Sequence, residues 1–468
     1  MSNTGPDPFG LLNRRRWLQI GALAPLGLDA FALASLRQQS QAKPRANACV
    51  FIFLFGGPSH IDLWDMKPDA PREIRGEFRP VATNATGIQI CEHLPLSARQ
   101  MDKLCLLRSM THQMRVHGPA CSEIYSGREY FGPPVTDQAT PRDWPSLASL
   151  VTRFGDAPAG LPRSVVLPWY TQFVGQDRRI AGQTGGRMGE EFNPFLMQGN
   201  PKQHRFRVSG LQRPQEVSAK RFQRRRRLLQ QLEANGRRHR PGGSKPLRQL
   251  NQHYRTASSL IERGRLARAL KLNAEPARNR DAYGRTRFGQ SLLLSRRLVE
   301  AGVPLVTVNW DDDHKSDKVS PHWDTHVDNF PKLKDRLCPP FDRALSAFLA
   351  DLHDRGLLET TLVVALGEFG RTPKVGTISQ NNMTKPTGRD HWPHAFTTLL
   401  AGGGVRGGQV YGETVASGGY VKDKPVSPAD LSTTILHHLG VDPRTEYEDR
   451  FLQVRQRLSI GRRIDGLA

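Results

Sequence analysis

Residues 49–57 read CVFIFLFGG, with Pro58 following. A strand exposed on one face alternates apolar with polar side chains, whereas this run has no polar position until the glycines. It is therefore read as a central strand buried on both faces and stopped by Gly56-Gly57-Pro58. Further along, Phe288 through Val299 carries helical apolar spacing, Gly302 and Pro304 end it, and Leu305–Val308 resumes as a strand. The same grammar returns once more. Phe341, Leu345, Phe348, Leu349 and Leu352 fall at helical spacing, Gly356 stops them, and Thr361–Leu366 (TLVVAL) is another buried run. Phe396–Leu400 and a helix over Pro428–Leu439 extend the pattern, so the expected fold is α/β, a doubly wound, mainly parallel sheet.

The 468 residues, 37% of them hydrophobic, suffice for a large core, and five scattered cysteines (Cys49, Cys91, Cys105, Cys121 and Cys338) without a CxxC indicate buried thiols rather than a disulfide framework. No apolar run reaches eighteen residues, so no spanning helix is expected. The formal charge of +23 is mostly local: residues 202–271 hold 20 Lys and Arg against three Asp and Glu, or +17. That stretch is expected to be a basic helical insert with Leu228, Leu229 and Leu232 as a buried stripe. It lacks zinc-finger, helix-turn-helix and RNA-recognition signatures, which disfavours nucleic acid as partner and leaves an anionic polymer or surface.

Arg14-Arg15-Arg16-Trp17-Leu18 matches the twin-arginine pattern, and a weakly apolar stretch from Ile20 ends in the small-x-small site Ala32-Leu33-Ala34. Residues 1–34 are read as a removed export signal and 35–468 as one α/β domain, placing the mature chain in the periplasm or outside the cell.

Ligands of open α/β sheets bind beyond the carboxyl ends of the strands, and those positions are rich in chemistry here. After the first strand come His60, Asp62 and Asp65; after Leu305–Val308 come Asp311, Asp312, Asp313 and His314, then HWDTH with Asp324 and His326. TLVVAL leads into Glu368 and Arg371, and GRDHWPH places Arg389, Asp390, His391 and His394 before the next strand. Imidazole and carboxylate without thiolate suit zinc, manganese, magnesium or calcium. Arg371 and Arg389 have the guanidinium geometry to grip a phosphate or sulfate, or else to form surface ion pairs.

FLFGGPSHIDLWDMKP, the SGR at Ser126–Arg128, RRLVEAGVP, WDTH, GLLETTLVVALGEFGRTP and GRDHWP together resemble the domain-of-unknown-function 1501 family across nearly all of residues 48–442. That family is usually placed in the alkaline phosphatase and sulfatase-like superfamily. The resemblance implies its doubly wound α/β fold and one or two divalent cations that hydrolyse phosphate or sulfate esters. The departures are specific. Where the superfamily ends its first strand in a metal-binding Asp, this chain has Gly56-Gly57, leaving His60 or Asp62 as candidates. Ten residues before Gly127, where sulfatases carry the nucleophile, stands His117, open to being a metal ligand, a general base or a nucleophile, with Ser122 or Cys121 as substitutes. Glu368-Phe369 stands for the superfamily's Asp-His pair, and His391 for its later lone His.

The resemblance thus implies a cation held by some of Asp324, His326, Glu368 and His391, with His60, Asp62 and His117 nearby and Arg371 or Arg389 on the ester oxyanion. The substrate class is an anionic ester, with sulfated polysaccharide as a candidate; Trp64, Trp323 and Trp392 either stack on sugars or pack the sheet ends. The competing class is a non-catalytic glycan- or envelope-binding protein with a degenerate site.

Overall fold

The structure is a computed structural model that describes residues 44–467 except 134–137, 174–178, 204–205, 312–319, 380–383 and all but scattered positions between 209 and 263. The segment expected to be an export signal, Asp312, Asp313, His314 and most of the expected basic insert lie outside the described residues. Leu228, expected to be buried, is 56% exposed.

Eight strands form the main sheet: β1 Ala48–Phe53, β2 Leu104–Met110, β3 Ser164–Leu167, β4 Phe195–Leu196, β5 Leu305–Asn309, β6 Thr361–Leu366, β7 Phe396–Ala401 and β8 Gln409–Tyr411. Their spatial order is β8-β2-β7-β6-β1-β5-β3-β4. As expected from CVFIFLF, β1 is central and buried at every position, with β5 and β6 parallel on either side. Its side chains divide by the pleat: Val50, Ile52 and Leu54 enter one core, Cys49, Phe51, Phe53 and Phe55 the other. All five cysteines are buried and none is in a disulfide.

Helices cover both faces. Against the first core lie α4 (Arg287–Ala301) and α5 (Cys338–Asp354); against the second lie α2 (His117–Ser126), α3 (Leu147–Phe154) and α6 (Pro428–His438), while α1 is the single turn His60–Leu63. On α5, fully buried Phe341 packs against Trp64, Trp323 and Phe288, with ring centroids 5.8, 5.6 and 6.1 Å away. Truncating it to alanine would cost about 3–5 kcal/mol. Trp64 and Trp323 are thus core residues rather than an exposed stacking surface.

One strand departs from the expected helix-strand alternation. β7 runs antiparallel to both β6 and β2, whereas every other neighbouring pair in the sheet is parallel. The reason is the connection. Parallel strands need a crossover that returns the chain to the end of the sheet where the first strand began. Between β6 and β7 the described chain instead forms a short ribbon, Gly370–Arg371 paired with His391–Trp392, so β7 begins where β6 ended. Both flanks of that excursion therefore lie at the sheet's carboxyl end. Among the described residues, no helix is long and apolar enough to cross a membrane.

Candidate metal centre

Four segments converge where β1, β2, β5 and β6 end. After β2 the chain enters α2 at His117; after β5 it supplies Asp324 and His326; after β6 it supplies Glu368 and Arg371; the ribbon returns His391. Gly56, just past β1, makes the approach possible. Its φ is +111°, and a Cβ there would lie 2.3 Å from the Asp324 backbone nitrogen. Only glycine lets the Trp323–Asp324 backbone rest on the strand end.

The ligand-capable atoms of His117, Asp324, His326 and His391 all lie within 4.8 Å of one another, and all four residues are buried. His326 Nε2 is 3.0 Å from Asp324 Oδ1, His391 Nε2 is 3.2 Å from the same oxygen, and the two Nε2 atoms are 3.0 Å apart. His117 Nε2 is 3.2 Å from Asp324 Oδ2.

The opposite ring nitrogens decide what these atoms can do. His391 Nδ1 lies 2.7 Å from the Arg115 carbonyl, which can only accept, so Nδ1 carries the proton and Nε2 presents a lone pair. His117 Nδ1 donates to Glu368 Oε1 at 2.5 Å. His326 Nδ1 faces Thr384 Oγ1 at 2.8 Å and Asp390 Oδ1 at 3.5 Å. Each imidazole is thus backed by an acceptor, the arrangement that orients histidine ligands of metals. Four contacts of 3.0–3.2 Å among these inward nitrogens and the carboxylate call for a proton or a cation between them. Tetrahedral ligands at zinc distances stand about 3.3 Å apart, close to those contacts, and the whole set lies within 4.8 Å.

Electrostatics show that the centre attracts positive charge, held in the metal-free protein as a second proton on His117 that a cation would displace. Burial opposes charge on His117, but the Asp324 carboxylate and hydrogen bonds to Asp324 and Glu368 outweigh it and raise its pKa to about 9. Burial likewise opposes charge on Asp324, yet the Arg371 guanidinium and His117 hold its pKa well below the usual carboxylate range. His391 is pushed down to about 3, by burial first and the His117 charge second. A neutral His391 beside an ionised Asp324 is a mixed nitrogen and oxygen donor set for a divalent cation.

Several residues expected at the centre are placed elsewhere. Asp62 accepts both Nε and Nη2 of Arg389 at 2.8 Å and Asn329 Nδ2 at 2.9 Å, which saturates it as an ion-pair partner. His60 is fully buried under Gly370 and meets the Gly418 carbonyl through Nε2 at 2.8 Å. Glu368 stands behind His117 and also accepts the Gly56 N–H, so it supports a ligand instead of joining the four. Asp311 pairs with Arg287.

Neither arginine is free for an ester oxyanion. Arg389 also donates to the carbonyls of Thr372, Pro373 and Ile74, and Arg371 to Asp324 at 2.6 Å and to the carbonyls of Gly56, Gly57, Trp323 and Arg389. Each guanidinium has five N–H donors, and both side chains are fully buried. The suggested substitute nucleophiles are also packed away. Cys121 lies in the core with its thiol pKa well above the ordinary value through burial, and Ser122 packs on Gly182. Sequence reasoning missed Thr384 and the Arg115 carbonyl; a main-chain acceptor leaves no signature in residue type.

The solved structures similar to this chain include a protein in the alkaline phosphatase superfamily from Vibrio parahaemolyticus, 10% identical, covering 90% of this chain and 70% of that one with a TM-score of 0.41. The alkaline phosphatase from the Antarctic bacterium TAB5 is 10% identical, with 85% and 99% covered and a TM-score of 0.38. The PsFucS1 sulfatase from Pseudoalteromonas sp. is 13% identical, with 97% and 78% covered and a TM-score of 0.35. No curated protein sequence matches the chain. The sequence profile of the family described as "Protein of unknown function (DUF1501)" matches residues 46–467, and the chain belongs to that family.

Proposed function

We propose that this protein is an exported, divalent-metal-dependent hydrolase of sulfate or phosphate esters whose cation is held by His117, Asp324, His326 and His391. The observation that carries the reading is the convergence of those four ligand atoms within 4.8 Å. A bound divalent cation supplies Lewis acidity toward an ester oxygen and makes water a stronger acid. The residues supply the rest. Glu368 holds the His117 proton at Nδ1, so that Nε2 stays turned to the centre. Arg371 fixes one Asp324 oxygen and leaves Oδ2 facing His117. With Cys121 and Ser122 packed away, water is the favoured attacking group. Export through the twin-arginine signal fits a site assembled before translocation.

One observation favours a second reading, a glycan-binding protein without turnover: the two arginines expected at the ester anion are wholly committed to the fold. Elemental analysis with aryl sulfate and aryl phosphate assays separates the two. The hydrolase reading expects near-stoichiometric divalent metal and metal-dependent turnover, both lost in Asp324→Ala. Protein that binds no zinc, manganese, magnesium or calcium removes it.

A further inference from the structure

His391 faces the centre, while Trp392 and His394, one and three residues further on, reach a partly exposed surface. Trp392 lies edge-on to His394, with ring centroids 5.0 Å apart, and to Tyr420 at 5.6 Å. His394 and Tyr420 stack at 5.5 Å with an interplanar angle of 27°. The group is rigid, because the Trp392 indole N–H donates to the Gly419 carbonyl, which ties the Ser417–Tyr420 loop to the ribbon. Tyr420 is nevertheless 54% exposed, and Trp392 and His394 are half-buried.

Arg115 joins this surface to the centre. Its carbonyl accepts His391 Nδ1, while its exposed side chain reaches His394 Nε2 through Nη2 at 3.2 Å. Among the described residues it has no carboxylate partner. A guanidinium left exposed and unneutralised retains donors for an incoming anion. It differs in this from Arg371 and Arg389, whose donors are spent inside the fold.

We propose that Arg115, Trp392, His394 and Tyr420 form a recognition subsite for a sugar ring bearing a sulfate or phosphate. The flat, exposed Tyr420 face and the Trp392 edge suit the C–H face of a pyranose, and the rim of Tyr420 hydroxyl and Arg115 N–H groups suits its hydroxyls and anionic substituent. The main-chain link from Arg115 to His391 places the subsite beside the four ligands. The inference rests on the hydrolase reading for its purpose and on this geometry for its existence.

The test titrates the purified full chain calorimetrically with a sulfated galactose hexasaccharide and with its desulfated counterpart. The parent is expected to bind the sulfated sugar about tenfold more tightly, the size of one charge-assisted hydrogen bond. Arg115→Gln erases that preference, Arg115→Lys restores part of it, and Tyr420→Ala weakens both sugars by roughly threefold or more. Both side chains are exposed, so the variants should melt with the parent. The proposal is overturned if the parent binds neither sugar, if it binds both equally, or if Arg115→Gln binds like the parent. The two readings fail separately. Protein without metal or aryl-ester turnover that still shows Arg115-dependent binding loses the hydrolase reading alone; metal and turnover with indifference to Arg115→Gln loses the subsite alone.

Discussion

Glu368 Oε1 lies 2.5 Å from His117 Nδ1, and the same carboxylate accepts the Gly56 N–H through both oxygens, at 2.9 and 3.1 Å. One side chain from the end of β6 thereby anchors the start of α2 and the end of β1. The carboxylate that a residue-type reading would make a ligand instead determines which nitrogen of His117 faces the centre.

Glu368→Gln keeps the shape and an oxygen for the Gly56 N–H but removes the charge that holds the His117 proton. Losing such a support behind a metal-bound histidine typically weakens metal affinity about 10–100-fold. Zinc affinity by competition with a chromophoric chelator should fall by that amount, with little change in the far-ultraviolet spectrum. An unchanged affinity would remove the positioning role.

Asp62 and Arg389 form a fully buried bidentate pair. Breaking it from one side leaves a charge without a partner, so Arg389→Met should destabilise by about 3–5 kcal/mol in urea unfolding. Adding Asp62→Asn should return part of that loss, because the stranded charge goes with it. A double variant as unstable as the sum of the singles would refute the pairing.

How much of this could be read beforehand divides along physical lines. β1, α4–β5 and α5–β6 were legible because full burial leaves continuous apolar runs and glycine marks the helix ends. β2 was missed because Arg108 interrupts LCLLRSM, although in the fold Arg108 donates to the Trp64 carbonyl and pairs with Asp65. β3 and β4, of four and two residues, are too short for any pattern. At the centre, Asp324, His326 and His391 are legible from their places beside strand ends, whereas His117 enters only through the family resemblance, by its spacing to Gly127. Telling Asp62 from Asp324 was out of reach, since what decides it is Arg389, 327 residues away, against the close approach of Gly56 to Asp324.

On the inner side of α2, Glu123 should leave a pH signature. Burial, opposed by the Tyr130 N–H and assisted by Glu129, raises its pKa to about 7 from an ordinary 4.5. Its neighbour His112, 3.8 Å away, is pushed down to about 4, by burial first, against the Glu368 carbonyl it meets and with help from His394. Between pH 4.5 and 7 the folded state keeps a proton on Glu123 that the unfolded chain has lost, so this residue's contribution falls as pH rises. His112 acts oppositely: between about pH 4 and 6.5 the unfolded chain binds the extra proton, so its contribution rises. The two slopes offset each other in the parent. Glu123→Gln removes one and exposes the other, so the stability of the variant relative to the parent should climb from pH 4.5 to 7 and then level off. Urea unfolding at four pH values across that range checks it, and a constant difference would count against a protonated Glu123.

Gly56→Ala is the sharpest test of how backbone packing builds the centre. The substitution asks a residue with a Cβ to hold φ at +111°, which costs about 1–3 kcal/mol by itself. It also places that Cβ 2.3 Å from the Asp324 nitrogen and 2.7 Å from the Trp323 nitrogen, backbone atoms that cannot rotate away. Relief requires the Trp323–Asp324 segment to lift off β1, which pulls the Asp324 carboxylate from His117 and His326 and strains the Gly56 N–H contact with Glu368. Stability and metal binding should therefore fall together, with zinc affinity reduced more than in Glu368→Gln because a ligand is displaced and not merely left unsupported. Gly57→Ala provides the comparison. Its Cβ would meet the Phe369 ring and carbonyl, not Asp324, so an equal loss of stability should leave more of the metal affinity. If the two variants lose zinc equally, the Gly56–Asp324 approach is not what sets the ligand.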